Sequence, residues 1–318
     1  MEEMEMNNSA TNYIKECSIV GHKRLLIVEF PSSKYVVNQV ITSVAMCILM
    51  IPVILLNGIT VLTIWKSQLM RAKVSHFPVF IQSMADLFVG LLTLPLFSYL
   101  HLREVFGSPD CVLSFVLSTI AFIPWGLSVA ALSALTIERY MGVLHPFAHL
   151  KYVTKKMFLI YICCAILVTL TIIPLAVVSA TFYYIFCAVN VMIPMLLHTY
   201  CYTRIFYSAR KSLLRHNCST SCEENVSKSR VGKRYSAKEL KLAKSCALVV
   251  VTFYILCIPG EIVSLYYLEK DIIFYRVTIA WFVTALGVNT ILNSVIFFWT
   301  RTALRKEAFK VLKGICAN

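Results

Sequence analysis

Apolar residues run along this chain in seven long blocks, and charged residues gather in the short intervals between them. The blocks cover about 36–65, 74–100, 109–141, 155–178, 181–209, 237–266 and 273–298. Each is long enough for a helix rising 1.5 Å per residue to cross a hydrocarbon core about 30 Å thick, which takes roughly 20 residues. The pattern predicts an all-α membrane protein, a seven-transmembrane helix bundle. Residues 1–35 then form an N-terminal tail, 36–300 the membrane domain and 301–318 a short amphipathic helix with the end of the chain. In that last segment Leu304, Ala308, Val311 and Leu312 share one helical face, flanked by Arg301, Arg305, Lys306, Lys310 and Lys313. Such a helix is expected to lie along a leaflet rather than cross it.

Composition agrees with the block pattern. Hydrophobic residues make up 58% of the 318 and charged residues 14%, against roughly 45–50% and about 25% in soluble domains. That excludes a disordered chain or a disulfide-packed mini-protein and disfavours a soluble two-domain enzyme. The net charge of +14 does not imply nucleic acid, because the basic residues lie between membrane blocks instead of on one soluble face. They also give an orientation. On the side of the amino terminus lie Lys15, Lys23, Arg24, Lys34, Arg103, Lys270 and Arg276, and the other twenty-three of the thirty Lys and Arg fall on the opposite side. The amino terminus is therefore expected outside the cell and the carboxyl terminus in the cytosol, in the plasma membrane. The acidic start MEEMEM is no secretory signal, so the first span is expected to act as its own anchor. Asn7 heads an N-glycosylation sequon in the outer tail. The sequons at Asn217 and Asn225 fall in a basic cytoplasmic loop and are expected to stay unmodified.

Ionisable groups inside a bilayer are costly and usually functional. Asp86 lies mid-way along the second block, Glu138 and Arg139 end the third, and Glu261 follows Pro259 in the sixth. Asn57, Asn289 and Asn293 add uncharged polar groups. An unpaired carboxylate in hydrocarbon costs several kcal/mol, so Asp86 needs a cation, a proton or a polar cluster. Asn57 and Asn293 are equally well read as helix-to-helix hydrogen-bonding residues. No internal repeat or broken-helix pair suggests a transporter. Neither HExxH nor GxSxG nor paired membrane aspartates suggest an enzyme.

Taken in order, the motifs resemble those of the rhodopsin-like (class A) G-protein-coupled receptors over about 36–312. They are Asn57 in LLNGITVL, Asp86 in MADLFVG, Glu138-Arg139-Tyr140, Pro146 in LHPF, Pro194 and Tyr202 in span five, Phe253 and Pro259 in FYILCIPG, and Asn293 in NSVIF. The resemblance implies a receptor for an extracellular ligand that engages a heterotrimeric G protein and arrestin among membrane lipids, with no enzymatic activity and no nucleic acid. It implies that Arg139 pairs at the inner face with Glu239, which lies twenty residues before Pro259, about 30 Å along a helix. Glu138 is the adjacent partner. It implies no cofactor beyond an allosteric sodium ion held by Asp86, Ser128, Asn289 and Asn293, for which a cluster holding only water is the alternative. It also implies an activation core of Val129, Pro194, Tyr202, Phe253, Cys257, Pro259, Asn293 and Phe297.

The chain departs from that family at several places. Cys257 stands where the usual Trp precedes the span-six proline, Ser294 replaces the span-seven Pro, and Phe297 replaces its Tyr. Span seven is expected to run straighter without its proline, and Pro124 is expected to loosen span three. Trp125 is a candidate to fill the volume left at Cys257, with ordinary core packing as the alternative. These departures leave a non-signalling scavenger receptor as the alternative function, with a transporter further behind. The family ties the top of span three to the second outer loop, but that loop is very short here and has no Cys, which leaves Cys111 with Cys17 or Cys187. Cys316, just past the amphipathic helix, is a candidate for palmitoylation. Ala121 stands where amine receptors carry an Asp, and span seven has no retinal-binding Lys. The expected ligand pocket comprises Ala121, Phe122, Trp125, Glu261, Tyr266 and Trp281, with Glu261 as a counter-ion for a cationic ligand or as a protonated, water-bonded group.

Overall fold

A computed structural model describes the backbone of residues 14–19, 22–27, 32–107, 109–171, 180–218, 244–267 and 270–316, together with most side chains from 32 onward. The helices are α1 (Ser33–Lys66), α2 (Val74–Val105), α3 (Cys111–Leu144), α4 (Lys155–Leu170), α5 (Ala180–Cys218), α6 (Lys244–Tyr267), α7 (Ile272–Thr300) and α8 (Thr302–Cys316). Short helices, Gln68–Ala72 and Pro146–Tyr152, lie in the α1–α2 and α3–α4 connections. Among the described residues five helices are long and apolar enough to cross a membrane, or six if Pro146–Tyr152 and α4, bent by 76°, count as one span. The protein is an all-α multi-pass membrane bundle. One element outside the bundle was not expected from the sequence. The N-terminal tail folds back as an antiparallel hairpin of β1 (Ile14–Ile19) and β2 (His22–Ile27), in register from Ile14 opposite Ile27 to Ile19 opposite His22.

Local chemistry sets where the helices begin. Ser32, Asp110, Thr154 and Asp271 precede α1, α3, α4 and α7, and each side chain accepts a hydrogen bond from a first-turn N–H. These caps satisfy donors that a helix start leaves without intrahelical partners. Prolines stand inside several helices, and α1 and α5 run on through Pro52 and Pro194. α3 runs on through Pro124, which was expected to loosen it, and the Ala121 carbonyl in the turn before it takes a 2.7 Å bond from Thr93 Oγ1. Pro259 has no N–H to give back, and α6 breaks into a turn at Cys257 before the ladder resumes from Glu261 N to Cys257 O at 3.1 Å. Next to Pro95, α2 widens into a π-turn over Val89–Thr93. With Ser294 in place of a proline, α7 runs unbroken from Ile272 to Thr300.

The core gathers on α3, which packs against α2, α4 and α5, while α7 lies along α1. Leu132, Leu135, Phe282, Leu286 and Phe297 are among its fully buried side chains. Lipid-facing positions stay apolar, with Ile48, Ile51, Leu55, Ile193 and Leu196 exposed. A polar network closes the bundle at one end. Glu104 accepts from Tyr35 Oη at 2.8 Å and pairs with Arg276 at 3.2 Å, joining α1, α2 and α7. At the other end α8 buries Leu304 and Ala308 and docks Glu307 on Ser67 Oγ at 2.9 Å. Hydrogen bonds from Lys310 and Ser67 hold the Glu307 carboxyl below its ordinary range.

The π-turn brings the α2 backbone against α1. A Cβ on Gly90 would meet Val53 Cγ1 at 2.7 Å and Ile54 Cγ1 at 3.0 Å, whereas one on Gly58 meets nothing within 4 Å. Val53 is fully buried and stiff at χ1. Gly90→Ala is therefore expected to destabilise by ~1–3 kcal/mol through overpacking and Gly58→Ala to be neutral or mildly stabilising. The apparent melting temperatures of the two purified variants in detergent check this, and equal values would contradict the close α1–α2 contact.

Candidate functional site

Asp86 is completely buried half-way through the bundle. Its Oδ1 accepts from Ser128 Oγ at 2.7 Å and from Gln82 Nε2 at 3.1 Å, and its Oδ2 accepts from Asn293 Nδ2 at 3.1 Å. Gln82 also donates to Ser128 Oγ at 2.9 Å. A carboxylate on α2 thus draws donors from its own helix, from α3 and from α7. Of the four residues expected around an ion, the structure joins Asp86, Ser128 and Asn293 directly. Asn289 is buried one turn before Asn293, and its Oδ1 has no donor. Gln82 was missed from sequence. Its signal was the i, i+4 spacing to Asp86, which puts both on one helical face. Gln82 Oε1, Asn289 Oδ1 and Asn293 Oδ1 are all buried acceptor oxygens without a hydrogen-bond donor. That donor set, one carboxylate plus neutral oxygens, fits a small hard cation.

The departure at Ser294 acquires a structural role. Its Oγ donates to Asn57 Oδ1 at 2.7 Å, and Asn57 Nδ2 returns to the Val53 carbonyl at 3.0 Å. A proline there could not make the α7–α1 link, which anchors α7 one residue after Asn293. Phe297 is fully buried with Arg301 above its ring, 5.7 Å from the centroid.

Near the C-terminal end of α3, Arg139 is fully buried and pairs with Glu138, also buried. Glu138 binds His149 of the α3–α4 connection at 3.2 Å. Glu239 lies outside the described residues, so the expected second pair is not described. Arg301, at the junction of α7 and α8, is buried and donates to the Ser75 carbonyl at 3.3 Å. Ser245 and Thr300 hydroxyls join α6 to α7 at 2.7 Å. Between α5 and α6, Tyr254 Oη donates to the Met195 carbonyl at 2.7 Å, and Tyr202 and His198 border a cavity of about 580 Å³.

Above the Asp86 cluster, Phe122, Trp125 and Phe282 form a chain of edge-on ring contacts, with Trp125 and Phe282 centroids 5.5 Å apart. Gly260 admits Phe282, which a Cβ there would approach to 3.2 Å. Cys257 is buried below them. Trp125 therefore packs in the core beside Phe282, a contribution from α7 that the sequence did not suggest. Phe122, Trp125, Val129 and Pro194 line a cavity of about 300 Å³ between α3, α4 and α5. The structure does not bring the other expected pocket residues there. Ala121 is fully buried. Glu261 is half-buried in the first turn of the C-terminal part of α6, Ile258–Tyr267. Tyr266 is exposed beneath Lys270. Trp281 is half-exposed and donates to Asn38 Oδ1 at 2.8 Å, which ties α7 to α1.

The family model of the seven-transmembrane receptors of the rhodopsin family matches residues 56–183. Over that stretch the chain is similar to the rhodopsin-family receptors. Asn57, Asp86, Ser128, Arg139 and Pro146 lie inside the matched stretch. No curated protein matches the chain significantly. Receptors of that family in general bind extracellular ligands and engage G proteins, and the helices here fit a multi-pass membrane protein of that kind. Cys111 of this receptor is disulfide-bonded, while the side chains of Cys17 and Cys187 lie outside the described ones. So do Asn7 and the side chain of Cys316.

Asn57 and Ser294 offer a direct test of the α1–α7 link. Replacing either by Ala is expected to cost about 1 kcal/mol. The double variant should lose little more than one single change, which a double-mutant cycle of apparent melting temperatures reads as a coupling of about 1 kcal/mol. Strictly additive losses would show that the hydroxyl does not carry the link.

Proposed function

We propose that this receptor converts binding of an extracellular ligand into activation of a heterotrimeric G protein, with its amino terminus outside and α8 along the inner leaflet. The observation that carries the reading is Arg139. A fully buried guanidinium held by Glu138 at one end of the bundle, in a chain of this family, is a group stored rather than used. The excess of Lys and Arg in the loops at that end supports its being cytosolic.

The mechanism is a shift of population. Breaking a buried ion pair on one side strands a charge, which costs about 3–5 kcal/mol unless a new partner takes over. A docking G protein supplies that partner. Ligand contacts in the outer half favour an outward swing of α6, whose break at Cys257 and Pro259 supplies the hinge. A difference of a few kcal/mol between the two states suffices. Glu239, at the foot of α6, is the second partner of Arg139 in the closed form. A sodium ion on Asp86, taking oxygens from Ser128, Asn289 and Asn293, favours the same form. Gln82 is an additional member of that site.

Cys17 is the partner of Cys111 in this reading, because β1, which carries Cys17, packs against α3. A glycan on Asn7, a palmitoyl group on Cys316 and arrestin binding complete it.

Arg139→Ala is expected to reach the cell surface and to lose agonist-driven nucleotide exchange. Normal exchange in that variant removes the proposal. For the ion site, sodium is expected to lower agonist affinity in the native receptor and to have no effect in Asp86→Asn. An equal sodium response in both forms eliminates the ion while leaving the coupling reading standing.

A further inference from the structure

The cavity between α3, α4 and α5 opens toward the bilayer. Val168 on one rim and Val189 and Ile193 on the other are 45%, 45% and 61% exposed, on helices that face hydrocarbon. No Asp, Glu, Lys or Arg is among its lining residues. Its volume, about 300 Å³, is at the lower bound of small-molecule sites. An apolar groove on a membrane helix would by itself be filled by acyl chains, but Asn190 sets this one apart. Asn190 stands exposed in the lining, four residues before Pro194. Its Nδ2 donates to the Phe186 carbonyl of its own helix at 2.8 Å. Among the described residues its Oδ1 accepts nothing. A carboxamide oxygen facing hydrocarbon has no water to bond and is costly without a donor. On the opposite wall, the buried indole N–H of Trp125 also lacks a partner.

We propose that this groove binds an uncharged, lipid-soluble alcohol drawn from the bilayer. Its apolar body lies over Val129, Ala165 and Ile193, and its hydroxyl donates to Asn190 Oδ1. A hydroxyl donates one bond and accepts others, so the same group can also take the indole N–H that the protein leaves spare. A carboxylate or ammonium finds no counter-charge in the lining, and a hydrocarbon offers nothing to Asn190. The occupant is thus a sterol-like molecule, not a fatty acid or an amine. The inference needs the chain to span a membrane, which its long apolar helices support. It does not need coupling to a G protein, so the two readings fail separately.

The test uses the full chain in nanodiscs of phosphatidylcholine and a cholesterol analogue bearing a ring diazirine and a tail alkyne. On illumination, label is expected on α4 and α5 within 164–169 and 186–194. Excess cholesterol should displace it and cholestane, which lacks the hydroxyl, should not. Asn190→Leu changes an exposed side chain and is expected to fold. It should weaken labelling about fivefold, the size of one hydrogen bond. Ala165→Phe, which fills the groove, should abolish labelling there. Label spread evenly around the bundle, equal competition by cholestane, or undiminished labelling of Asn190→Leu would each overturn the proposal.

Discussion

A carboxylate placed half-way through a hydrocarbon layer must find partners within the protein, because no water is there to solvate it. Asp86 meets this requirement by drawing in Gln82, Ser128 and Asn293 from three directions. The result is a fixed point around which α2, α3 and α7 take their registers. One turn away, Asn57 and Ser294 extend the same logic to α1. Between helices in a membrane no hydrophobic force favours association, since lipid is as apolar as leucine, so packing and polar bonds select the arrangement. The buried polar residues of this receptor are therefore concentrated where helices meet.

The same constraint explains how the backbone tolerates its prolines. Each removes a donor that hydrocarbon will not replace. α3 continues through Pro124, and near it Thr93 of α2 ties the two helices together by donating to the Ala121 carbonyl. At Pro259 the helix yields and re-forms on the far side of Cys257. At Pro95 it widens by a π-turn, and the adjacent Gly90 lets α1 approach. α6 is thus the helix whose ladder breaks, while α3 and α7 run on without a gap.

The ends of the bundle handle charge differently from its middle. Glu104, which is buried, and the partly exposed Arg276 form a pair that joins α2 to α7. At the other end Arg139 and Glu138 are buried as a pair, and Arg301 is buried against the Ser75 carbonyl.

Hydrophobic block length alone determined that the chain is a helical membrane bundle, because the thickness of a bilayer is fixed and helical rise is constant. Rare polar residues inside those blocks marked Asp86, Arg139 and Asn293, because hydrocarbon penalises them unless they serve a purpose. The partners of those residues were less legible. Gln82 joined the Asp86 cluster, Phe282 came to lie on Trp125, and Trp281 turned toward Asn38 in place of the pocket. Each outcome depends on how two helices are rotated about their axes, and periodicity fixes a face only within one helix. The terminal hairpin and the groove beside Asn190 emerged only from the tertiary structure, because strand pairing and cavities are properties of segments brought together from distant parts of the chain.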